Sequence, residues 1–303
     1  MPATPAVSLI LATYARTSEL GRLFQSLAEQ RFKDFEVVVV DQNPDERIST
    51  YLEKAGKSGI CIRHIKHALP NLSAARNIGI QAARGEWVGF PDDDCWYEPD
   101  LLEQLSPCFA CRDALSGAAA RWAELYEAGQ LPSSLSWKRS RQFRDRVVAS
   151  FMLFCNRKLF EQVGNFDPRL GVGQWFGAAE ETDLIMRALA AGASLCIHSS
   201  AIVHHPFKLY GATSGERAEV RQRARGTGAL YAKHKLPRWV IARGLLAPVV
   251  RSFLVGGAED RIQGWMDSIG RLEGMLHWKY RMPFAVDILA HKMPAAAMEE
   301  VSE

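Results

Sequence analysis

Glu86-Trp-Val-Gly-Phe-Pro-Asp-Asp-Asp94 is a short apolar run that stops abruptly in three carboxylates. Its brevity and the Pro at its end read as a strand rather than a helix. In an open α/β sheet, ligands bind beyond the carboxyl ends of the strands, which is where Asp92, Asp93 and Asp94 would stand. Hard oxygen donors in that place suit Mg²⁺ or Mn²⁺ holding a substrate diphosphate. For three isolated Asp residues, an acidic turn in water would be the ordinary reading; the strand before them changes it.

Upstream, Val7-Ser-Leu-Ile-Leu-Ala-Thr13 and Phe35-Glu-Val-Val-Val-Val-Asp41 are near-continuous apolar runs, typical of parallel strands covered on both faces. Between them, Thr17 or Ser18 can cap a helix that runs to about Gln30, with Leu20, Leu23, Phe24 and Leu27 on one side. A turn at Asn43-Pro-Asp45 leads to a helix ending near Lys57. A third strand is expected over Ile60 to Ile65, then a helix from Ala74 to Arg84, capped by Ser73 and stopped by Gly85. This alternation predicts a Rossmann-like, mostly parallel sheet with helices on both faces. Neither G-x-G-x-x-G nor G-x-x-x-x-G-K-[ST] follows the first strand, which argues against a dinucleotide fold and a P-loop.

Downstream the pattern weakens. Leu115 to Trp137 reads as short strands and loop, and Val147 to Cys155 as a strand followed by the Gly164-Asn-Phe-Asp-Pro168 turn. Glu180 to Ala191 has helical spacing, and Ser194 to His198 returns as a strand leading to Val203-His-His-Pro206. Beyond Lys208 the chain becomes basic: ten Lys/Arg against two Glu up to Arg251, with aromatic and aliphatic residues interleaved. Such a stretch suits an anionic membrane face, although Pro248 interrupts the run and Arg238, Arg243 and Arg251 do not gather on one side. The other reading is a helical subdomain packed on the remainder or on a partner subunit.

The whole chain, 303 residues with 48% hydrophobic and 23% charged positions, is that of an ordinary globular protein. A net charge of +3 is too mild to call for a nucleic-acid partner. Six scattered cysteines form no disulfide framework, and Cys108-x-x-Cys111 lacks a second pair or a His at zinc spacing, so no metal role is assigned to it. Met1 to Ala6 lacks the basic and apolar regions of a signal peptide, and no apolar run approaches the length of a membrane span. A cytoplasmic protein is expected, peripheral on the cytoplasmic face of the membrane if the basic stretch docks there.

Three parts in this order resemble an inverting glycosyltransferase of family 2, over roughly residues 6 to 208. They are Val7 to Arg16 with Val40-Asp41; Asn71-Leu-Ser-Ala-Ala-Arg-Asn-Ile-Gly-Ile80 running into Phe90-Pro-Asp-Asp-Asp94; and Gly164-Asn-Phe-Asp167 followed by Glu180-Glu-Thr-Asp-Leu184. The resemblance implies a GT-A fold, with a mainly helical C-terminal extension in this chain. The expected domains are a transferase domain over 1–235 (nucleotide half about 1–112, acceptor half about 113–235) and an extension over 236–303.

By the same resemblance, Thr13, Tyr14 and Arg16 line the base pocket and Asp41 accepts from base or ribose. Arg76 lies near the nucleotide; the ordinary alternative for it is a surface helix cation. The family's DXD motif falls on Asp92 and Asp94, with Asp94 the direct ligand of Mn²⁺ or Mg²⁺ and Asp92 at the ribose or a metal-bound water. Asp93 completes the cluster around the nucleotide, turned to the other side if the backbone is extended. A bound cation would stabilise the charge of the nucleoside diphosphate leaving group. The family's Glu-Asp pair reads Glu180-Glu181 here, which makes Glu181 the expected base, while helical spacing lets Glu180 and Asp183 share a face instead. Of His204 and His205, His205 is preferred as a further metal ligand. Trp175 could stack on an acceptor sugar or pack in the core.

The implied reaction moves a sugar from a nucleotide sugar, a UDP-sugar first, to a hydroxyl of a glycan or lipid-linked acceptor in polysaccharide or glycoconjugate assembly. Two competitors remain in view. A sugar-nucleotidyltransferase would want a Gly-rich basic loop where Ala12-Thr-Tyr-Ala-Arg-Thr17 stands. A non-catalytic binding module on the same fold is kept open by the Glu at 181.

Overall fold

The computed structural model describes residues 4–127, 129–144, 148–207, 213–255 and 257–280. The chain divides into two compact units: residues 1–174 with 179–211, and residues 175–178 with 212–303. The sequence-based boundary at 235 differs from this division, because the helix over Ser214–Lys233 falls in the second unit.

The first unit alternates strand and helix: β1 (Val7–Thr13), α1 (Ser18–Ala28), β2 (Phe35–Asp41), α2 (Ser49–Lys57), β3 (Cys61–Lys66), α3 (Leu72–Ala82), β4 (Trp87–Gly89) and β5 (Trp96–Tyr97). There follow α4 (Leu101–Phe109), β6 (Ser116–Trp122), α5 (Trp137–Ser140), β7 (Leu153–Asn156), α6 (Leu159–Val163), α7 (Glu180–Ala190) and β8 (Ser194–His204). Among the described residues the strands form one eight-stranded sheet in the order β3-β2-β1-β4-β7-β6-β8-β5. β1, β2, β3 and β4 pair in parallel, as do β6 and β8. β7 runs against β4 and β6, and β5 against β8. The sheet is thus mostly parallel but mixed, and its direction reverses beside the acid-bearing strand.

Every residue of β1 and β2 is buried, which explains their unbroken apolar character. Glu36, the acid near the start of β2, is satisfied from three sides: Ser8 Oγ donates at 2.7 Å, and Arg84 donates through its backbone N at 2.9 Å and Nε at 2.8 Å. At the two ends of β4, Gly85 and Gly89 meet their neighbours without room for a Cβ: one would collide with the backbone of Ser8, the other with the ring of Phe154.

Four local expectations are corrected. Asn71, not Ser73, caps α3: its Oδ1 accepts from Ala74 N at 2.9 Å, while Ser73 Oγ donates to the carbonyl of Leu170 at 2.7 Å. The helix also ends at Ala82, since Ala83 is already extended. The strand expected over Val147 to Cys155 is a 3₁₀ turn over Ser150–Met152 and then β7; Val147 lies outside the described residues. β8 does not stop at His198 but continues to His204 through an irregularity opposite Ala120/Arg121. All six cysteines are free, and Cys108 Sγ lies 3.1 Å from His198 Nε2 on β8, a neighbour that sequence spacing did not disclose.

The second unit holds α8 (Ser214–Lys233), α9 (Arg238–Val255) and α10 (Ala258–Tyr280). Thr213 and Glu216 form a capping box at the start of α8. Gly270 and Gly274 let α10 lie directly on the backbone of α8, where a Cβ would strike the carbonyls of Arg221 and Arg225. Pro248 does not interrupt α9, contrary to the reading from sequence. Its missing N–H leaves the Gly244 carbonyl without its helical donor, and Arg271 Nη1 of α10 donates to that oxygen at 2.9 Å instead. No described helix is long and apolar enough to cross a membrane.

Candidate active site

The carboxyl ends of β1, β2 and β4 supply the first groups of the site. Thr13 ends β1, and the chain then turns through Ala15, a non-glycine residue at φ 61°. That strained turn is held by a hydrogen bond from Ala15 N to Asn43 Oδ1 at 2.7 Å. Asn43 is in turn fixed by Asp41, whose Oδ1 accepts from its backbone N and its Nδ2 at 2.9 and 2.7 Å. Asp41 Oδ2 lies 3.1 Å from His64 Nε2 and 3.0 Å from Lys66 Nζ. Burial pushes the Asp41 carboxyl up, but these donors outweigh it and hold it below the usual carboxylate range. Tyr14 beside this turn is half exposed.

The three aspartates after β4 face different partners. Asp92 Oδ1 accepts from Arg76 Nη2 at 2.9 Å. Asp93 Oδ2 accepts from Thr13 Oγ1 at 2.9 Å, with Arg16 Nε 3.7 Å from its other oxygen. Asp94 lies between Arg16 Nη2 at 2.8 Å and His205 Nε2 at 3.0 Å. Burial raises the Asp92 carboxyl despite Arg76 and His205. Burial likewise pushes Asp93 up to about 7, more than the Thr13 hydrogen bond can offset. At Asp94 burial acts in the same sense, yet the His205 hydrogen bond and the charges of His205 and Arg16 prevail and lower it.

Arg76 is 1% exposed, not a surface cation. Its Nη1 donates to Glu180 Oε1 at 3.0 Å, while Nη2 reaches Asp92 and also Ser150 Oγ at 2.7 Å. The guanidinium therefore ties the acid cluster to the first turn of α7. That turn follows Ala179, a second non-glycine residue in the left-handed region, at φ 79°. Glu180 Oε2 is buried with no hydrogen-bond partner among the described residues. Asp183 is fully buried and accepts from Arg187 Nε at 2.9 Å. Arg187 also donates to the carbonyls of Val163, Gly164 and Asn165, so this pair secures the turn before α7. Glu181 is half-buried on the same turn.

Of the two histidines ending β8, His205 meets the acids. Its ring stacks on Phe151, 4.5 Å between centroids, and stands edge-on to Trp122. Nδ1 lies 2.8 Å from the Pro206 carbonyl, which can only accept. Both ring nitrogens therefore face acceptors, as in the protonated imidazolium: Nδ1 donates to that carbonyl and Nε2 to Asp94, with Asp92 Oδ2 at 3.9 Å. Burial lowers the imidazole pKa, but the two aspartates outweigh it and raise it. His204 stacks on Trp96 and pairs with Glu98 and Glu124, away from the acids.

No three or more described His, Cys, Asp or Glu side chains form a ready metal cage. The donor chemistry nevertheless fits a divalent cation that takes its remaining ligands from a diphosphate: two carboxylates and an imidazole nitrogen whose other nitrogen is already engaged. Sequence reasoning missed Ser150 and Phe151, which stand in a stretch read as strand and carry no motif, and Trp122, in the weakly patterned middle. Trp175, considered for an acceptor sugar, packs within the helical unit against Phe176 and His277, with the Arg225 guanidinium 4.3 Å over its ring.

Residues 8–118 match the family described as Glycosyl transferase family 2. Over 102 residues the chain is 35% identical to "Putative glycosyltransferase EpsH" of Bacillus subtilis, covering 34% of this chain and 30% of that protein. Over 92 residues it is 29% identical to "GalNAc(5)-diNAcBac-PP-undecaprenol beta-1,3-glucosyltransferase" of Campylobacter jejuni, covering 30% of each. The chain thus spans about a third of the length of the curated relatives it matches. Among solved structures, mannosyltransferase PcManGT from Pyrobaculum calidifontis, in complex with GDP-Man and Mn²⁺, superposes with TM-score 0.63 at 14% identity, covering 93% of this chain and 89% of that one.

Proposed function

We propose, from the family 2 match over residues 8–118 and the GT-A architecture with its helical C-terminal region, that the chain is a glycosyltransferase of polysaccharide or glycoconjugate assembly. It takes a nucleotide-sugar donor, a UDP-sugar first, and a hydroxyl on a glycan or lipid-linked acceptor, and it inverts the anomeric centre. The observation that carries this reading is the bridge from Asp92 through Arg76 to Glu180, which couples the acid cluster to the helix turn that bears the base.

Thr13, Tyr14, Arg16 and Asp41 form the nucleoside side of the site. Asp94 with His205 and Asp92 would hold Mn²⁺ or Mg²⁺, which when bound supplies positive charge to the departing diphosphate. Arg16 and Arg76 add fixed positive charge at the same edge. Glu181 takes the proton of the acceptor hydroxyl as that oxygen attacks the anomeric carbon and the diphosphate oxygen leaves. Glu180 and Asp183 are each held by a guanidinium, which fits them to positioning Arg76 and the turn after α6. Similar proteins support the donor and acceptor classes: the Pyrobaculum calidifontis mannosyltransferase binds GDP-Man with Mn²⁺, and the Campylobacter jejuni glucosyltransferase is named for an undecaprenol-linked glycan.

The direct test is thermal stabilisation of the full chain by a panel of nucleotide sugars, with and without Mn²⁺. A shift with one sugar nucleotide that requires the metal is expected; no shift with any member would remove the proposal.

A further inference from the structure

The outward face of α9 is apolar, although α9 lies at the surface. Leu246, Val250, Phe253 and Leu254 are all more than half exposed, Leu254 at 79%, and Trp239 is 48% exposed. Their spacing of three, four and seven places them along one side of the helix. Val240 and Ser252 are buried away from it, so apolar side chains of α9 are found exposed as well as buried. That explains why the sequence showed no clean amphipathic pattern there.

The charges along α9 have one sign. α9 contains Arg238, Arg243 and Arg251 and no Asp or Glu. Arg243 lies over the Trp239 ring at 5.4 Å, and Arg261 of α10 over Phe253 at 5.0 Å. The acids of α10 are engaged elsewhere: Glu259 with Arg217, Asp267 with Arg271, Glu273 with Arg221 and Arg225, and Asp260 with Gly257 N at the helix start.

We propose that this face of α9 docks on an anionic lipid bilayer surface, with the aliphatic side chains and Phe253 entering the headgroup boundary and the arginines meeting lipid phosphates. Apolar side chains bordered by Trp and Arg are the composition of interfacial helices. Anionic headgroups match the one-signed charge. A second copy docking through a two-fold axis would instead set Arg243 and Arg251 against a like-charged face. The inference concerns the helical unit alone and does not depend on the transferase reading.

The test is flotation of the full chain with vesicles of phosphatidylcholine, with and without phosphatidylglycerol, at low and high salt. Binding that needs phosphatidylglycerol and weakens in salt is expected. The double variant Leu246→Glu/Phe253→Glu should lower vesicle binding by at least ~10-fold, since it places two anions on the docking face, with unchanged circular dichroism and melting temperature. Three results would overturn the proposal. They are a wild-type chain that stays off anionic vesicles, a double variant that binds them undiminished, and a lipid-free dimer that the double variant dissociates. Donor-induced thermal shifts in the same double variant report on the transferase site separately.

Discussion

Arg76 and Glu180, 104 positions apart in sequence, meet as a buried ion pair at 3.0 Å, and the same guanidinium holds Asp92 at 2.9 Å. One side chain thereby fixes the distance between the carboxylates after β4 and the helix turn that begins α7.

Replacing that side chain leaves Glu180 buried with no counter-charge. Arg76→Ala is expected to cost about 3–5 kcal/mol of folding stability, measured by urea unfolding. Arg76→Lys keeps the charge but not the fork that reaches two carboxylates, and should recover only part of the loss. A cost below about 1 kcal/mol for Arg76→Ala would show that the bridge does not hold the two parts together.

Asp94→Ala should abolish the Mn²⁺-dependent part of donor binding, read by calorimetry as at least a ~10-fold rise in Kd, which is about 1.4 kcal/mol. Folding should be little affected, because Arg16 retains Asp93 and Glu19 as partners. Unchanged donor affinity in the presence of metal would remove Asp94 from the ligand set.

Glu181→Gln should leave donor binding intact and slow transfer by roughly 100-fold or more, the range of a lost general base. Asp183→Asn should instead act on stability, because its carboxylate secures Arg187 and the Val163–Asn165 carbonyls. An active Glu181→Gln beside an inactive, stably folded Asp183→Asn would reassign the base.

Glu36 gives a pH dependence. Burial raises its carboxyl, but hydrogen bonds from Ser8 and Arg84 outweigh that and hold it below the ordinary value. A carboxyl depressed on folding contributes stability above its unfolded pKa, about 4.3, and loses it as pH falls through the folded value. Glu36→Gln should therefore destabilise the fold by about 1–3 kcal/mol at neutral pH. The gap to wild type should close on acidification below the unfolded value. Melting curves at pH 7 and in acid check the sign.

The nucleotide half was legible because its strands are buried on both faces, and burial on both faces writes itself as an unbroken apolar run, as in β1 and β2. The middle was not. β6, Ser116-Gly-Ala-Ala-Ala-Arg-Trp122, is rich in small residues with weak strand preference, and they are there because neighbours crowd them: a Cβ on Gly117 would strike the Leu195 side chain. β8 was cut short at Ser199-Ser200, where polar residues read as a loop but sit in the strand's irregularity. At the site, the acids could be read from one strand and its ending. The burial of Arg76 could not, since nothing local announces a partner on α7.

The exchange at Pro248 links two substitutions that are distant in sequence. A chain with Ala at 248 would close its own backbone ladder and lose one reason to keep Arg271. A chain that lost Arg271 first would carry a stranded Gly244 carbonyl for as long as the proline remained. The order in which these two positions change therefore matters: replacing the proline first lowers the cost of losing Arg271, which still holds Asp267 and the Tyr231 hydroxyl, and a double-mutant cycle between them should show coupling rather than additivity.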